Sequence, residues 1–264
     1  MSDLNTSQCL RLYLMRHGEV EAAAGKIFGQ TDVPLSERGL DQSRRLAGRL
    51  SSARLTAVYS SDMRRATVAA NMIAGRHGLR MEMRSDWREI NLGEWEGRSI
   101  VELYEETPER IGMLFGDPAS FKYPGGESFA DFMARIQSAL HSLLARHPSG
   151  EIALVAHGGV CRAIIASVLE TPAHKWLRIA QDYGCLNVID WYAGGAAVAL
   201  LNSVPEPEAV SNASIKTSET PQASLVEGED YYQEGTFVVF TARYHLRRGY
   251  CCRSGCRHCP YGEA

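Results

Sequence analysis

His17 in Arg16-His17-Gly18 and His157 in His157-Gly158-Gly159 are two of the three histidines in this chain that stand directly before glycine. Between them, Ser60-Ser61-Asp62-Met63-Arg64-Arg65-Ala66 carries adjacent arginines, and the glycine- and tryptophan-rich stretch from Arg88 to Gly97 carries Glu89, Glu94 and Glu96. These residue types suit phosphoryl transfer. A phosphoryl group in transit spreads negative charge over its equatorial oxygens, so its catalysis is mostly positioning and electrostatics. Arginine grips two such oxygens at once. A neutral imidazole attacks in line through one nitrogen while a carbonyl or carboxylate holds its other N–H. Going through a covalent intermediate lets water attack only after the alcohol has left. A carboxyl group protonated near neutrality would supply the leaving oxygen with its proton. The scheme asks for no metal.

Such residues need a frame, and residues 10–203 read as alternating strands and helices. Residues 10–15 form a short apolar strand that ends at Arg16-His17. Ser36 N-caps a helix whose inner face carries Ser43, Leu46, Ala47 and Leu50. A strand at 56–59 precedes a helix at 63–76, so Arg64 and Arg65 fall in its first turn. The second Arg-His-Gly, at Arg76-His77-Gly78, lies where that helix must stop, so Gly78 reads as a C-terminal cap and His77 as a bystander. After Pro124-Gly125-Gly126, the residues Phe129, Phe132, Met133, Ile136, Leu140, Leu143 and Leu144 make one helical stripe. The apolar run 152–156 suits a buried strand, and a helix begins after His157. Strands at 186–191 and 196–200 close the domain. The expected architecture is a three-layer α/β/α sandwich with a mostly parallel sheet. His17, His157 and the Arg64-Arg65 pair then follow the carboxyl ends of three strands, where such folds bind ligands.

With these motifs in this order, about residues 10–200 resemble the histidine phosphatase superfamily, also called phosphoglycerate mutase-like. The resemblance implies His17 as the phosphorylated nucleophile and Glu89 as the proton donor. It further implies a phosphate pocket of Arg16, Arg65 and His157, with Gly18 and Gly158 beside the substrate. Family members commonly continue Arg-His-Gly-Glu-Thr and then an asparagine that touches phosphate; Val20 and Ala23 stand at those places here, and Gln30 or Thr31 is expected to compensate. Mutases of this family carry a long insertion, whereas residues 98–123 are short here, which favours release of phosphate to water over mutase-type transfer. Gly29-Gln30-Thr31-Asp32-Val33-Pro34-Leu35 and Pro124-Gly125-Gly126-Glu127-Ser128 resemble the α-ribazole phosphatase branch, which implies α-ribazole 5'-phosphate as the substrate. Cys161 and Cys185, in apolar surroundings, read as packing residues.

The chain has 264 residues with 45% hydrophobic and 22% charged residues, enough for one α/β domain of about 200 residues and a smaller module. A formal net charge of −3 calls for neither nucleic acid nor an anionic membrane, and no apolar run reaches the roughly 20 residues of a membrane helix. A polar N-terminus without a signal pattern points to the cytoplasm, where thiols stay reduced. The expected partner is a small phosphorylated metabolite, with a homodimer kept open.

Residues 1–203 are therefore expected to be the phosphatase domain, 204–226 a flexible linker rich in Pro, Ser, Thr and Glu, and 227–264 a cysteine-rich module. Cys251, Cys252, Cys256 and Cys259 are dense enough to hold zinc or an iron–sulfur cluster. Residues 231–262 resemble a small bacterial family of unknown function ending in Cys-Cys-x2-Gly-Cys-x2-Cys-Pro-Tyr-Gly. Arg243, Arg247, Arg248, Arg253 and Arg257 make the module basic, which reads by default as a solvated face. The competing picture is a metal- or nucleic-acid-binding adaptor on a degenerate phosphatase domain. Retention of His17, Arg65, Glu89 and His157 together argues against degeneracy.

Overall fold

The computed structural model describes residues 9–21, 25–205, 226–234, 237–248, 257, 258 and 260. Its centre is a six-stranded sheet in the order β3-β2-β4-β1-β5-β6. These are β1 (Leu10–Arg16), β2 (Leu55–Ser60), β3 (Met81–Met83), β4 (Gly150–Ala156), β5 (Leu186–Tyr192) and β6 (Gly195–Ser203). The pairs β1/β4, β2/β4 and β2/β3 are parallel, as expected from their helical connections. β5 runs antiparallel to β1, and β6 runs antiparallel to β5, the latter because only Ala193 and Gly194 join them and a parallel crossover needs a dozen residues or more.

The period of two along β4 divides the core. Ile152, Leu154 and Ala156 face one layer, Ala153 and Val155 the other, and all five are fully buried. On one side pack α1 (Glu37–Arg49) and α2 (Arg64–Arg76), through Leu46, Ala47, Leu50, Ala66, Ala70 and Ile73. On the other pack α5 (Phe129–Arg146) and α6 (Gly158–Val168), through Phe132, Ile136, Leu143 and Ile164. Caps set where these helices start: Ser36 Oγ accepts from the Gly39 N–H at 3.1 Å, and Ser128 Oγ from the Asp131 N–H at 3.0 Å. His77 ends α2 and reaches the Leu50 carbonyl at 3.0 Å, away from the other histidines, and Gly78 takes the left-handed φ of 65° that a helix stop favours.

Two short helices, α3 (Ile100–Glu106) and α4 (Pro108–Gly116), form a lid, α3 opened by a Ser99/Glu102 capping box and α4 by Pro108 at its first position. The tail contributes a hairpin of β7 (Tyr231–Glu234) and β8 (Phe237–Phe240), then α7 (Ala242–Arg248), which packs against α3. Arg243, Arg247 and Arg257 pair with Glu229, Asp230 and Glu234, so their charge is balanced within the module. Ala23, most of the predicted linker, Arg253 and the predicted metal ligands Cys251, Cys252, Cys256 and Cys259 lie outside the described residues. Among the described residues no three His, Cys, Asp or Glu side chains are grouped to hold a metal, and no helix is long and apolar enough to cross a membrane.

Candidate active site

The carboxyl ends of β1, β4 and β2 converge on one cavity of about 250 Å³. Arg16 and His17 leave β1, His157 leaves β4, and Ser61 follows β2 one turn before Arg65 of α2. The His17 and His157 rings meet edge to face with centroids 5.1 Å apart. His17 Nδ1 lies 2.7 Å from the Gly18 carbonyl, so Nδ1 carries the proton and donates, which leaves Nε2 with its lone pair. Burial, then the charges of Arg65 and Arg16, hold His17 well below the ordinary imidazole range; burial and Arg65 do the same for His157. Both rings are accordingly neutral near pH 7. Gly18 itself packs on α1, where a methyl group would come within 2.2 Å of the Gly39 carbonyl, and it contributes its carbonyl rather than a cavity wall.

Arg65 is 1% exposed. It donates from Nη1 to the Thr31 carbonyl at 2.6 Å and from Nη2 to the Gly29 carbonyl. Its neighbour Arg64 lies outside, paired with Asp32 at 3.0 Å, so the helix register selects Arg65 for the cavity. The 29–31 loop is gripped from its other side by Glu96, whose carboxylate accepts from the N–H groups of Gly29 at 3.0 Å, Gln30 at 2.7 Å and Thr31 at 3.2 Å. Gln30 and Thr31 therefore stand behind Arg65: the Gln30 amide donates to the Glu89 carbonyl at 3.0 Å, and neither side chain lines the cavity where they were expected to replace a phosphate donor. Val20 does line it.

Of the three loop carboxylates, Glu89 faces the cavity, Glu96 holds backbone and Glu94 is exposed. Glu89 accepts from the Gly159 N–H at 2.8 Å and the Ile90 N–H at 2.9 Å. Its backbone is steered by Arg135 of α5, which donates to the carbonyls of Asp86, Arg88 and Glu89 and pairs with Glu127. Arg16 stacks on Tyr183, its guanidinium 3.7 Å from the ring centroid, and donates to the Gln181 carbonyl at 2.6 Å. Arg16 Nε and His157 Nδ1 are buried without a protein hydrogen-bond partner. A phosphate oxygen would satisfy both.

Sequence reasoning missed Ser61 as the partner of His157, Arg135, Tyr183 and Arg162. Ser61 stood inside a motif already singled out, whereas Arg135 and Arg162 look like ordinary helix charges, and only packing turns them inward. Cys161 and Cys185 are buried, with their thiols pushed up by burial, as expected of packing residues.

Residues 12–204 match the model of the histidine phosphatase superfamily (branch 1), and residues 220–264 match a family of unknown function (DUF5522). The chain is 33% identical over 192 residues to a probable phosphoglycerate mutase GpmB of Yersinia pestis (strain Pestoides F), covering 70% of this chain and 89% of that one. A putative α-ribazole-5'-P phosphatase from Escherichia coli K-12 has a similar structure, with a TM-score of 0.68 and 28% identity over 75% of this chain and 98% of that one. The mycobacterial glucosyl-3-phosphoglycerate phosphatase gives a TM-score of 0.68 at 27% identity, over 74% of this chain and 99% of that one. The chain belongs to the histidine phosphatase superfamily and is an enzyme of the phosphatase type.

Proposed function

We propose that the chain hydrolyses a small phosphomonoester through a phosphohistidine at His17. One observation carries this: the Gly18 carbonyl fixes the His17 tautomer, so a neutral Nε2 is available in a cavity shared with Arg16, Arg65 and Glu89, with the His157 ring packed edge to face against His17. In the first step Nε2 attacks phosphorus, the P–O bond to the alcohol breaks, and Glu89 gives that oxygen its proton. In the second step Glu89 takes a proton from water, whose oxygen attacks phosphorus and displaces Nε2. Arg16, Arg65 and His157 hold the equatorial oxygens throughout, so the groups that stabilise the developing charge are already in place and need not reorganise at the moment of reaction. Metal-free turnover follows from that donor set.

The organic part of the ester would rest against Phe28, Ile100, Leu114, Phe115, Trp176 and Leu177, a mostly apolar wall shared between the main domain and the lid. Motif likeness and one structural neighbour support α-ribazole 5'-phosphate; the GpmB relative and the mycobacterial neighbour support esters of the phosphoglycerate kind. Phosphate release should be measured over a panel holding both, with and without EDTA, beside His17→Ala. EDTA-resistant release that vanishes in the variant is the expected outcome. Release equal in wild type and variant would overturn the proposal, and phosphate moved between carbon atoms without release would replace it with mutase transfer.

A further inference from the structure

One loop beside the cavity is fastened more heavily than a connection between elements requires. Asp182 to Cys185 close a tight turn, in which the Cys185 N–H donates to the Asp182 carbonyl at 3.2 Å. Gly184 fills the third place with a left-handed φ of 69°, a conformation such a turn asks of glycine. Tyr183 is therefore carried at the tip. The turn is bonded to the residues that leave β1: the Arg16 N–H donates to the Cys185 carbonyl at 3.1 Å, and the Gly184 N–H to the His17 carbonyl at 3.0 Å. From α1, the Gln42 amide donates to the Tyr183 carbonyl at 3.1 Å while its oxygen accepts from the Glu19 N–H at 2.8 Å. From the end of β6, Asn202 accepts from the Asp182 N–H and donates to the Asp182 carboxylate, both at 2.7 Å. A turn held from three elements sets the place of its tyrosine ring before any substrate arrives.

That ring meets two parts of the reaction site. The Arg16 guanidinium lies 3.7 Å from its centroid, and the His17 imidazole 5.6 Å away at an interplanar angle of 47°. Arg16 is otherwise held by the Gln181 carbonyl, and among the described residues no carboxylate pairs with it. A carboxylate would orient the guanidinium as well, but it would cancel the charge that the phosphoryl oxygens need. A π face and a carbonyl orient it and leave the charge whole. Arg65, seated on the Thr31 and Gly29 carbonyls, obeys the same rule. His17 needs a second restraint for a different reason. The Gly18 carbonyl fixes which nitrogen carries the proton, yet a ring pinned at one nitrogen can still swing. Contact with the Tyr183 ring on one hand and the His157 ring, 5.1 Å away, on the other limits that swing.

We infer that Tyr183 is a positioning residue for phosphoryl transfer: its ring sets the plane of Arg16 and limits the swing of His17, so that phosphate donor and nucleophile keep one mutual geometry. The inference deepens the proposed function and rests on His17 being the phosphorylated nucleophile. Tyr183 acts through those two side chains, and the 182–185 turn with Gln42 and Asn202 exists to deliver it.

The test varies the electrons of the ring while keeping its shape. Tyr183→Phe retains the π face and should keep kcat/KM within about twofold, whereas Tyr183→Leu retains only bulk and should lose about tenfold. Phenylalanines bearing one, two and three fluorines at position 183 have nearly the same shape and a progressively weaker quadrupole. Across that series kcat/KM should fall stepwise towards the Leu value, while the melting temperature stays level. The inhibition constant of inorganic phosphate should rise in parallel, because the same arginine grips it. A flat fluorine series beside a weak Leu variant would make Tyr183 plain packing. A Tyr183→Phe variant as weak as Tyr183→Leu would move the role to the hydroxyl; either result overturns the inference. p-Nitrophenyl phosphate separates the two levels. With His17-dependent turnover of that ester in wild type, a fully active Leu variant sinks only the Tyr183 inference, whereas no His17-dependent turnover of any ester sinks the proposed function and the inference with it.

Discussion

The Ser61 hydroxyl meets Nε2 of His157 at 2.7 Å, and neither residue is reached by solvent. For His157 Nδ1 to donate to a phosphate oxygen, Nε2 must be the acceptor, so the Ser61 hydroxyl must donate. Ser61 is thereby a positioning residue for a ring that would hold phosphate. Ser61→Ala frees the tautomer, and kcat/KM should fall about tenfold, one hydrogen bond's worth. Ser61→Thr, which keeps the hydroxyl, should recover most of the loss. Steady-state kinetics on the three proteins decide this, and an equal defect in the Thr variant would count against the tautomer role.

The two buried imidazoles predict how stability follows pH. Both are held below the ordinary value of about 6.5, so below that pH the unfolded chain binds protons that the folded chain refuses. Their contribution is complete above about pH 6.5 and is lost as pH falls towards the depressed values, at up to about 1.4 kcal/mol per pH unit for each histidine. Urea unfolding at pH 7.5 and 5.5 measures the drop. His157→Asn should make the dependence shallower, and an unchanged slope would refute the assignment.

Gly159 is the point where backbone passes closest to the proposed proton donor. A methyl group there would sit 2.2 Å from Oε1 of Glu89, so Gly159→Ala must push the carboxylate aside. General acid–base catalysis is worth about 10²–10⁴ in rate, and kcat should fall by about 100-fold. The loss should be smaller for p-nitrophenyl phosphate, whose leaving group needs little protonation. A variant with normal kcat on alkyl esters would remove Glu89 from the role.

Glu96 does not itself line the cavity, yet it should govern phosphate affinity. Its carboxylate and Arg65 hold the 29–31 loop from opposite sides, through the loop's N–H groups and its carbonyls. Glu96→Ala leaves those N–H groups unpaired, at a cost of about 1–3 kcal/mol, and loosens the seat of Arg65. Inhibition by inorganic phosphate should weaken about tenfold while Glu89 chemistry is less affected. An unaltered inhibition constant would show that Arg65 is held by α2 alone.

For the tail, the thiolate spacing of Cys251, Cys252, Cys256 and Cys259 is the ground for proposing a metal. Purified protein should carry about one zinc ion, or an iron–sulfur cluster with visible absorbance. Cys256→Ser should lower that content, and a metal-free wild type would leave the cysteines as plain thiols. Because α7 packs on the lid helix α3, chelation should also alter KM if the metal holds the tail together, without abolishing phosphate release.

Local patterns in the chain already determine the sheet, its helices and the ring of strand ends. The unbroken apolar run of β4 demands burial on both faces, Ser36 and Ser128 start their helices, and Gly78 stops one; each acts within a few residues and is legible without a partner. His17, His157, Arg65 and Glu89 were legible because they stand at or beside such boundaries. Long-range packing decided the rest. Whether Arg64 or Arg65 enters the cavity depends on the rotation of α2 against the sheet. Whether Glu89, Glu94 or Glu96 faces the substrate depends on Arg135 arriving from α5. Arg162 becomes a cavity residue only because residues 179–181 return beside β1. A side chain's type is written in the sequence, but its solvation and its charged neighbours come from segments remote in the chain, 46 residues from Glu89 to Arg135 and 165 from Arg16 to Gln181, and those two quantities set what an arginine or a carboxylate can do.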